Sequence, residues 1–398
     1  MKSKKRLSLY IHIPFCVQKC RYCDFFSAAA SAQEKSQYTE LLCREIRSWG
    51  RMLREKYSVY TIFIGGGTPT CLSAEQLQKI GAAIRESFDC DALTEFTTEA
   101  NPGTVMPEHL TVWQQMGINR VSLGLQSAQN RELQMLGRIH SYEEFLTTYQ
   151  MIRQSGMDQI NIDVMAAIPE QTLESYQDTL EKIVSLNPEH ISSYSLIIEP
   201  GTVFGDWEKN GTLKHVDEDV DRQMYEWTGK YLQHMGYQRY EISNYCRDGM
   251  ECRHNCVYWS GGEYLGLGVN ASSYLTGYRF HVPVSQKTYR SYVDRICVLA
   301  KKESEGLKKA VQEMDELEFI DQRAQMEEFM FLGLRMMAGV SEQEFYQRFG
   351  ISMMEVYGDI IKKYQNMDLL CRRDTGRVAL TEKGIDVSNS ILSDFLLN

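Results

Sequence analysis

Two rhythms of apolar residues alternate along this chain. Short runs at residues 7–13, 59–64, 96–99, 120–125, 159–163 and 190–196 have the length and composition of buried strands. Between them apolar residues recur with a helical period; in residues 36–56 they are Tyr38, Leu41, Leu42, Ile46, Trp49 and Leu53. Ser73 and Gln76 make a capping box at the start of the second helical stretch. Strand–helix units in series predict a parallel sheet with right-handed crossovers. There are six units rather than eight, so the expected fold is α/β, a partial (β/α)6 barrel over about residues 7–212.

The pattern then changes. A helix is expected over 216–235, inside an extension at 213–300 that completes a first domain of residues 1–300. The polar stretch 301–309 predicts a boundary, and residues 301–398 read as a smaller, mainly helical domain. Within it, residues 369–373 and 377–380 flank Asp374-Thr375-Gly376, a hairpin signal, and a last helix starts at Thr381. Helices with a small hairpin predict a winged-helix-like shape. Met and Phe in residues 329–335 are read as its core.

Polar residues fall where the strands end. A cysteine loop, the run Gly65-Gly66-Gly67, Glu99, Gln126 and Asp163 are all expected at carboxyl ends of successive strands. In barrel-like α/β folds those ends converge on one ligand-binding face.

Charge and composition narrow the function. A net charge of −10 over 398 residues argues against a broad nucleic-acid surface. Winged helices often bind DNA, but residues 301–398 hold 18 acidic and 13 basic side chains. No apolar run approaches the roughly 20 residues that span a bilayer, which leaves only peripheral membrane contact. The basic start is followed by a run broken by His12 and Pro14, unlike a secretory signal. Eleven cysteines, an odd number, fit a reducing compartment, so a cytoplasmic location is expected.

Cys16, Cys20 and Cys23 are spaced x3 then x2 directly after the first strand. Such a loop can give thiolates to three irons of a [4Fe–4S] cube and leave the fourth open. Structural zinc usually takes four protein ligands in two pairs, and the next cysteine, Cys43, lies within a helical pattern. Glycines 65–67 let a backbone approach a ligand closely. Glu99 is suited to an ammonium group, and Gln126, Arg138 and Asp163 to a carboxylate, hydroxyls or a second ligand.

The cysteine loop resembles that of the radical S-adenosylmethionine (SAM) superfamily. Leu9-Tyr10-Ile11-His12-Ile13-Pro14-Phe15-Cys16, the glycine run, Glu99-Ala100-Asn101-Pro102-Gly103, Leu123-Gly124-Leu125-Gln126-Ser127 and Leu136-Gly137-Arg138-Ile139-His140 resemble the oxygen-independent coproporphyrinogen III oxidase family. That resemblance implies that Tyr10, Gly66 and Glu99 contact one SAM. It implies that Tyr22, Gly67, Thr68, Gln126, Arg138 and Asp163 line a neighbouring space, which in the oxidase holds a second. Two departures stand out. Phe25 occupies the place of the oxidase's additional cysteine, and Ala167 precedes Ile168-Pro169 where a glycine is usual.

Phe25 points to the sister group, the HemW heme chaperones, whose His-Asn-x-x-Tyr-Trp signature is matched by His254-Asn255-Cys256-Val257-Tyr258-Trp259. The residues alone read as a Gly-rich surface loop with Cys246, Cys252 and Cys256 nearby. Imidazole and thiolate both ligate heme iron, and aromatic rings offer a porphyrin flat faces; a lone histidine is more often a hydrogen-bonded structural residue. The resemblance makes His254 the favoured heme ligand, with Cys252 and Cys256 as rivals. It implies a carrier that binds heme and SAM, takes electrons from a donor for its cluster and passes heme to apo-hemoproteins. It also implies a C-terminal lid or docking surface over the strand-end face. The alternative is a radical SAM enzyme acting on a tetrapyrrole, through coproporphyrinogen III oxidation or heme methylation or ring opening.

Overall fold

The apolar runs become six parallel strands in sequence order: β1 (Lys5–Ile13), β2 (Tyr57–Gly66), β3 (Glu95–Ala100), β4 (Arg120–Gln126), β5 (Ile160–Ala166) and β6 (His190–Ser195). The structure is a computed structural model that describes residues 4–314 and 316–397. Helices α1 (Ala32–Leu53), α2 (Ala74–Ser87), α3 (Pro107–Met116), α4 (Asn130–Leu136), α5 (Tyr142–Gln154) and α6 (Leu173–Ser185) fill the crossovers. Ser31, Ser73, Ser141 and Thr172 close capping boxes that fix where α1, α2, α5 and α6 begin.

Alternation on β1 sorts its two faces. Leu7, Leu9, Ile11 and Ile13 are fully buried in the core that the helices cover. Ser8, Tyr10 and His12 face the concave side, where Thr61 donates to Ser8 Oγ at 2.6 Å. That side is mostly polar, with Phe63 against His254 as an apolar exception. Asn161 donates to Ser122 Oγ at 2.7 Å, and the ring of His190 bridges Asn161 and Tyr240 at 2.6 and 2.9 Å. A polar lumen in a parallel sheet reserves space for something other than core.

The sheet extends beyond the six strands. After α7 (Val203–Lys209) and α8 (Glu218–His234), β7 (Gln238–Arg239) and β8 (Asn244–Cys246) pair antiparallel outside β6. Helix α9 (Arg253–Trp259) precedes β9 (Tyr264–Leu267), which pairs parallel with β1, and β10 (Ser272–Leu275) and β11 (Tyr278–His281) follow outward. Next come α10 (Gln286–Leu299), α11 (Glu303–Gln312) and the edge strand β12 (Glu318–Phe319). The last part contains α12 (Gln322–Gly333), β13 (Val340–Ser341), α13 (Glu342–Phe349), α14 (Met353–Asn366), the hairpin β14 (Leu370–Arg372) and β15 (Arg377–Leu380), then α15 (Glu382–Asp386) and α16 (Ser388–Ser393). Three strands, ordered β13-β15-β14, and the surrounding helices give the winged-helix-like shape.

Three expectations need correcting. The boundary expected at 301–309 falls later: Leu307, Ala310, Val311 and Met314 pack into the barrel's core, and the second core starts with residues of α12. Strand β5 runs on through Ala166, because residues 164–166 pair with 193–195 of β6, so Asp163 lies inside the strand rather than at its end. The C-terminal domain is not a lid over the strand-end face. It packs against α9 near Arg6 and Tyr60, at the other end of the strands, and Met337 donates its N–H to Tyr240 O at 2.9 Å.

Candidate functional site

The cysteine loop is tied down on both sides. Phe15 and Ala28 form a bridge at its base, with Cys16 N donating to Ala28 O at 3.1 Å and Ala28 N to Pro14 O at 3.0 Å. Its middle is fastened to the end of α4. Arg21 N donates to Leu136 O at 2.9 Å, its guanidinium reaches Gln134 O and Met135 O at 3.2 and 3.1 Å, and Gln18 donates to Gly137 O at 3.1 Å. Arg21 thus satisfies the carbonyls that a helix end leaves open. Cys16, Cys20 and Cys23 are free thiols, each partly exposed. Burial pushes the Cys23 thiol up to about 11, and Arg138 Nη1 donates to Cys20 Sγ at 3.6 Å.

Next to this loop the backbone of Gly65-Gly66-Gly67-Thr68 forms a cradle. Gly67 N donates to Ile13 O at 2.9 Å and Thr68 N to Phe15 O at 2.7 Å. Gly66 has φ +107°, where L side chains are strained, and a Cβ there would collide with the His12 ring. A Cβ on Gly67 would sit 2.7 Å from Phe15 O. Gly66 N donates to Glu99 Oε2 at 3.0 Å. Burial, then Asp163, pushes the Glu99 carboxyl up to about 7. Tyr10 completes this wall, its hydroxyl 3.0 Å from His12 Nδ1.

Arg138 crosses from the far side. It donates to Asn101 Oδ1 at 2.6 Å, and Asn101 Nδ2 donates to Thr68 Oγ1 at 2.6 Å. Its Nε is buried without a partner, a donor left for an anionic ligand. Tyr22 lies close enough to Arg138, Cys20, Cys23 and Asp163 to feel their charges, and burial raises its phenol. Asp163 accepts from Asn161 and Ser122 at 2.8 and 3.2 Å, while burial raises its carboxyl. Gln126 ends β4 with φ 77°, re-aiming the chain toward α4. The structure therefore brings Tyr10, Tyr22, Gly66, Gly67, Thr68, Glu99, Gln126, Arg138 and Asp163 to one end of the lumen with the three cysteines. Asn101 links Thr68, just after β2, to Arg138, just after α4, a role no local sequence pattern assigns.

His254 lies elsewhere. It is not in a surface loop but in α9, buried to 1% exposure, which corrects the sequence expectation. The reason is Glu95, the first residue of β3, whose carboxylate accepts the N–H groups of Arg253 and His254 at 2.7 and 3.1 Å. A carboxylate at a helix start draws that end into the lumen. The His254 ring is held by Thr61 Oγ1 at Nδ1 (2.9 Å) and by Tyr258 Oη at Nε2 (2.8 Å), and burial beside Arg120 lowers its pKa to about 3. Neither nitrogen is free to meet a metal in this conformation. Cys252 is fully buried and its thiol donates to Glu95 at 3.6 Å, whereas Cys256 is partly exposed.

Among the described residues no group of three or more His, Cys, Asp or Glu is arranged to hold a single metal ion. Three separate, unpaired thiols next to a glycine cradle fit the corners of a cluster with a ligand alongside it.

Fold and cysteine loop together define a radical SAM protein, and residues 10–183 match the Radical SAM superfamily while residues 320–387 match the HemN C-terminal domain. Membership of that superfamily implies SAM and a [4Fe–4S] cluster. The chain is 36% identical to the heme chaperone HemW of Lactococcus lactis, covering 99% of this chain and 98% of the relative. It is 35% identical to HemW of Bacillus subtilis, covering 98% and 99%. The chain belongs to the HemW family. In fold it is similar to coproporphyrinogen III oxidase (HemN) from Escherichia coli, with a TM-score of 0.82, 22% identity, and 99% of this chain and 90% of that one covered. No helix among the described residues is long and apolar enough to cross a membrane.

Proposed function

We propose that this protein is a heme carrier that binds heme and SAM and delivers heme to apo-hemoproteins of respiratory type in the cytoplasm. The observation that carries this reading is α9: the His-Asn-x-x-Tyr-Trp signature folds as one helix between the barrel's polar lumen and the C-terminal domain. Full-length similarity to proteins named heme chaperones supports it.

Cys16, Cys20 and Cys23 would hold three irons of the cluster. Gly66, Glu99 and Tyr10 would orient the amino-acid end of SAM, and Arg138, with its spare Nε, a carboxylate. When bound and reduced by an external donor, the cluster would offer one-electron chemistry to the SAM beside it. Glu99 and Asp163, both raised by burial, keep like charge in the lumen low until a cation arrives.

The rival is an oxidase of coproporphyrinogen III, which would use the same cradle; Phe25, 65% exposed at the position of the oxidase's additional cysteine, speaks against it. The test pairs two anaerobic assays on reconstituted protein. Heme titration followed by mixing with an apo-hemoprotein should show uptake and then transfer. Incubation with coproporphyrinogen III, SAM and a strong reductant should give no divinyl product. Turnover without heme transfer would replace the carrier with the enzyme.

A further inference from the structure

Two of the three cysteine-loop thiols meet side chains whose protons are directed by a single residue, Asn101. Arg138 carries donors only, so the amide oxygen of Asn101 must face it, and Arg138 Nη2 donates to Asn101 Oδ1 at 2.6 Å. That orientation turns the amide N–H toward Thr68, whose Oγ1 accepts it at 2.6 Å. The single hydroxyl proton of Thr68 is then left for Cys16 Sγ, 3.4 Å away. At the other end Arg138 Nη1 donates to Cys20 Sγ at 3.6 Å. The result is one belt, Cys16–Thr68–Asn101–Arg138–Cys20, in which the protons run outward from Arg138 to both sulfurs. Among the described side chains none donates to Cys23, which meets the backbone N–H of Phe25.

Asn101 is held in this pose from both sides. It directly follows β3, and its carbonyl accepts from Thr104 N at 3.2 Å and from Thr104 Oγ1 at 2.7 Å. Thr70 in turn meets Thr104 Oγ1 at 2.6 Å. Gly124 in β4 leaves room for the pair, since a Cβ there would stand 3.0 Å from Asn101 Oδ1 and 3.2 Å from Arg138 Nη2. Cys71 is the other sulfur within reach of Thr68, kept a neutral thiol by burial. A neutral thiol accepts more weakly than an iron-bound thiolate, so the proton goes to Cys16.

We infer that Asn101 is a positioning residue that aims the Thr68 proton at Cys16 Sγ, so that one belt donates to two cluster thiolates and makes the cluster easier to reduce. A hydrogen bond to a thiolate withdraws negative charge and favours the reduced, more negative state; such bonds are among the factors that set cluster potentials. The direction depends on the amide. A carboxylate at position 101 would accept from both neighbours, take the Thr68 proton for itself and leave Cys16 facing a lone pair. The inference rests on the cluster assignment within the carrier reading and is independent of where heme is held.

The experiment is a potentiometric titration of anaerobically reconstituted, full-length protein without SAM, a low-potential chemical reductant supplying the electron. Resonance Raman spectra of the iron–thiolate stretches accompany it, and both readouts see only chains that carry a cluster. Thr68→Val removes the donor and should make reduction about threefold to tenfold less favourable, with an iron–thiolate stretch moved to higher frequency. Thr68→Ser keeps the hydroxyl and should restore both. Asn101→Asp should lower the potential at least as far as Thr68→Val, through the lost hydrogen bond and the added charge. In the Thr68→Val background its further effect should shrink to that of the charge. Equal shifts from Asn101→Asp with and without the hydroxyl overturn the directing role of Asn101. An unshifted potential and spectrum in Thr68→Val overturn the belt and leave the cluster assignment standing. Unmodified protein that takes up no iron overturns the cluster assignment, and the belt with it.

Discussion

His254 and Tyr258 meet at 2.8 Å, imidazole Nε2 to phenol oxygen, one helical turn apart on α9. Thr61 already donates to Ser8, so its oxygen accepts from His254 Nδ1–H and leaves Nε2 to accept from Tyr258. The ring is neutral and fully used. Replacing it strands the buried Tyr258 hydroxyl and removes one of the two partners of Thr61. His254→Ala should destabilise the protein by about 2–4 kcal/mol, read as a lower denaturant midpoint with an unchanged slope. Loss of heme by this variant carries meaning only beside that measurement. An unchanged midpoint would mean that α9 does not depend on the ring.

The cradle predicts a separable defect. Gly66→Ala places a Cβ against His12 at a backbone angle of +107°. SAM affinity measured by calorimetry on reconstituted protein should fall at least about tenfold, because strand β2 must shift at the point of ligand approach. The far-ultraviolet spectrum should be retained. Full affinity in this variant would place SAM away from the glycines.

Glu99 sets a pH dependence. Its carboxyl is raised from its ordinary 4.5 to about 7 by burial, then by Asp163. Between those values the folded, ligand-free chain keeps a proton that the unfolded chain has lost, so this group lowers stability as pH rises, by about 1.4 kcal/mol per unit at most. Above about 7 the contribution levels off. A carboxylate is the form that holds an ammonium, so SAM should bind more tightly at pH 8 than at pH 6 and release a proton on binding at pH 6. Glu99→Gln should flatten both trends. Persistence of the trend in that variant would assign it to another group.

Arg138 joins the two halves of the site. Arg138→Gln should cut its links to Cys20 Sγ and Asn101, which stand at 3.6 and 2.6 Å. Faster loss of iron to a chelator is expected, with little change in melting temperature. Equal iron retention would make Arg138 a ligand contact alone.

Much of this was legible in the chain. Short apolar runs marked the six strands, and Asp374-Thr375-Gly376 marked the hairpin that Gly376, at φ 71°, turns. The cysteine spacing, the glycine run and Glu99 were visible because each sits at or next to a strand end. Contacts between distant strands decided the rest. Asp163 lies deeper than expected because residues 164–166 find pairing partners on β6. His254 turns inward because Glu95, 159 residues earlier, caps its helix. Residues 303–312 look like a polar boundary, yet their few apolar positions meet α1. No local pattern carries such information.

The central claim is that Cys16, Cys20 and Cys23 hold an iron–sulfur cube with one corner open to SAM. Anaerobic reconstitution followed by metal and sulfide analysis and electron paramagnetic resonance tests it most directly. About four irons and four sulfides per chain are expected, with a reduced-state signal that changes when SAM is added and vanishes in Cys20→Ala. Protein with its thiols intact that takes up zinc instead, or iron whose signal ignores SAM, would contradict the account.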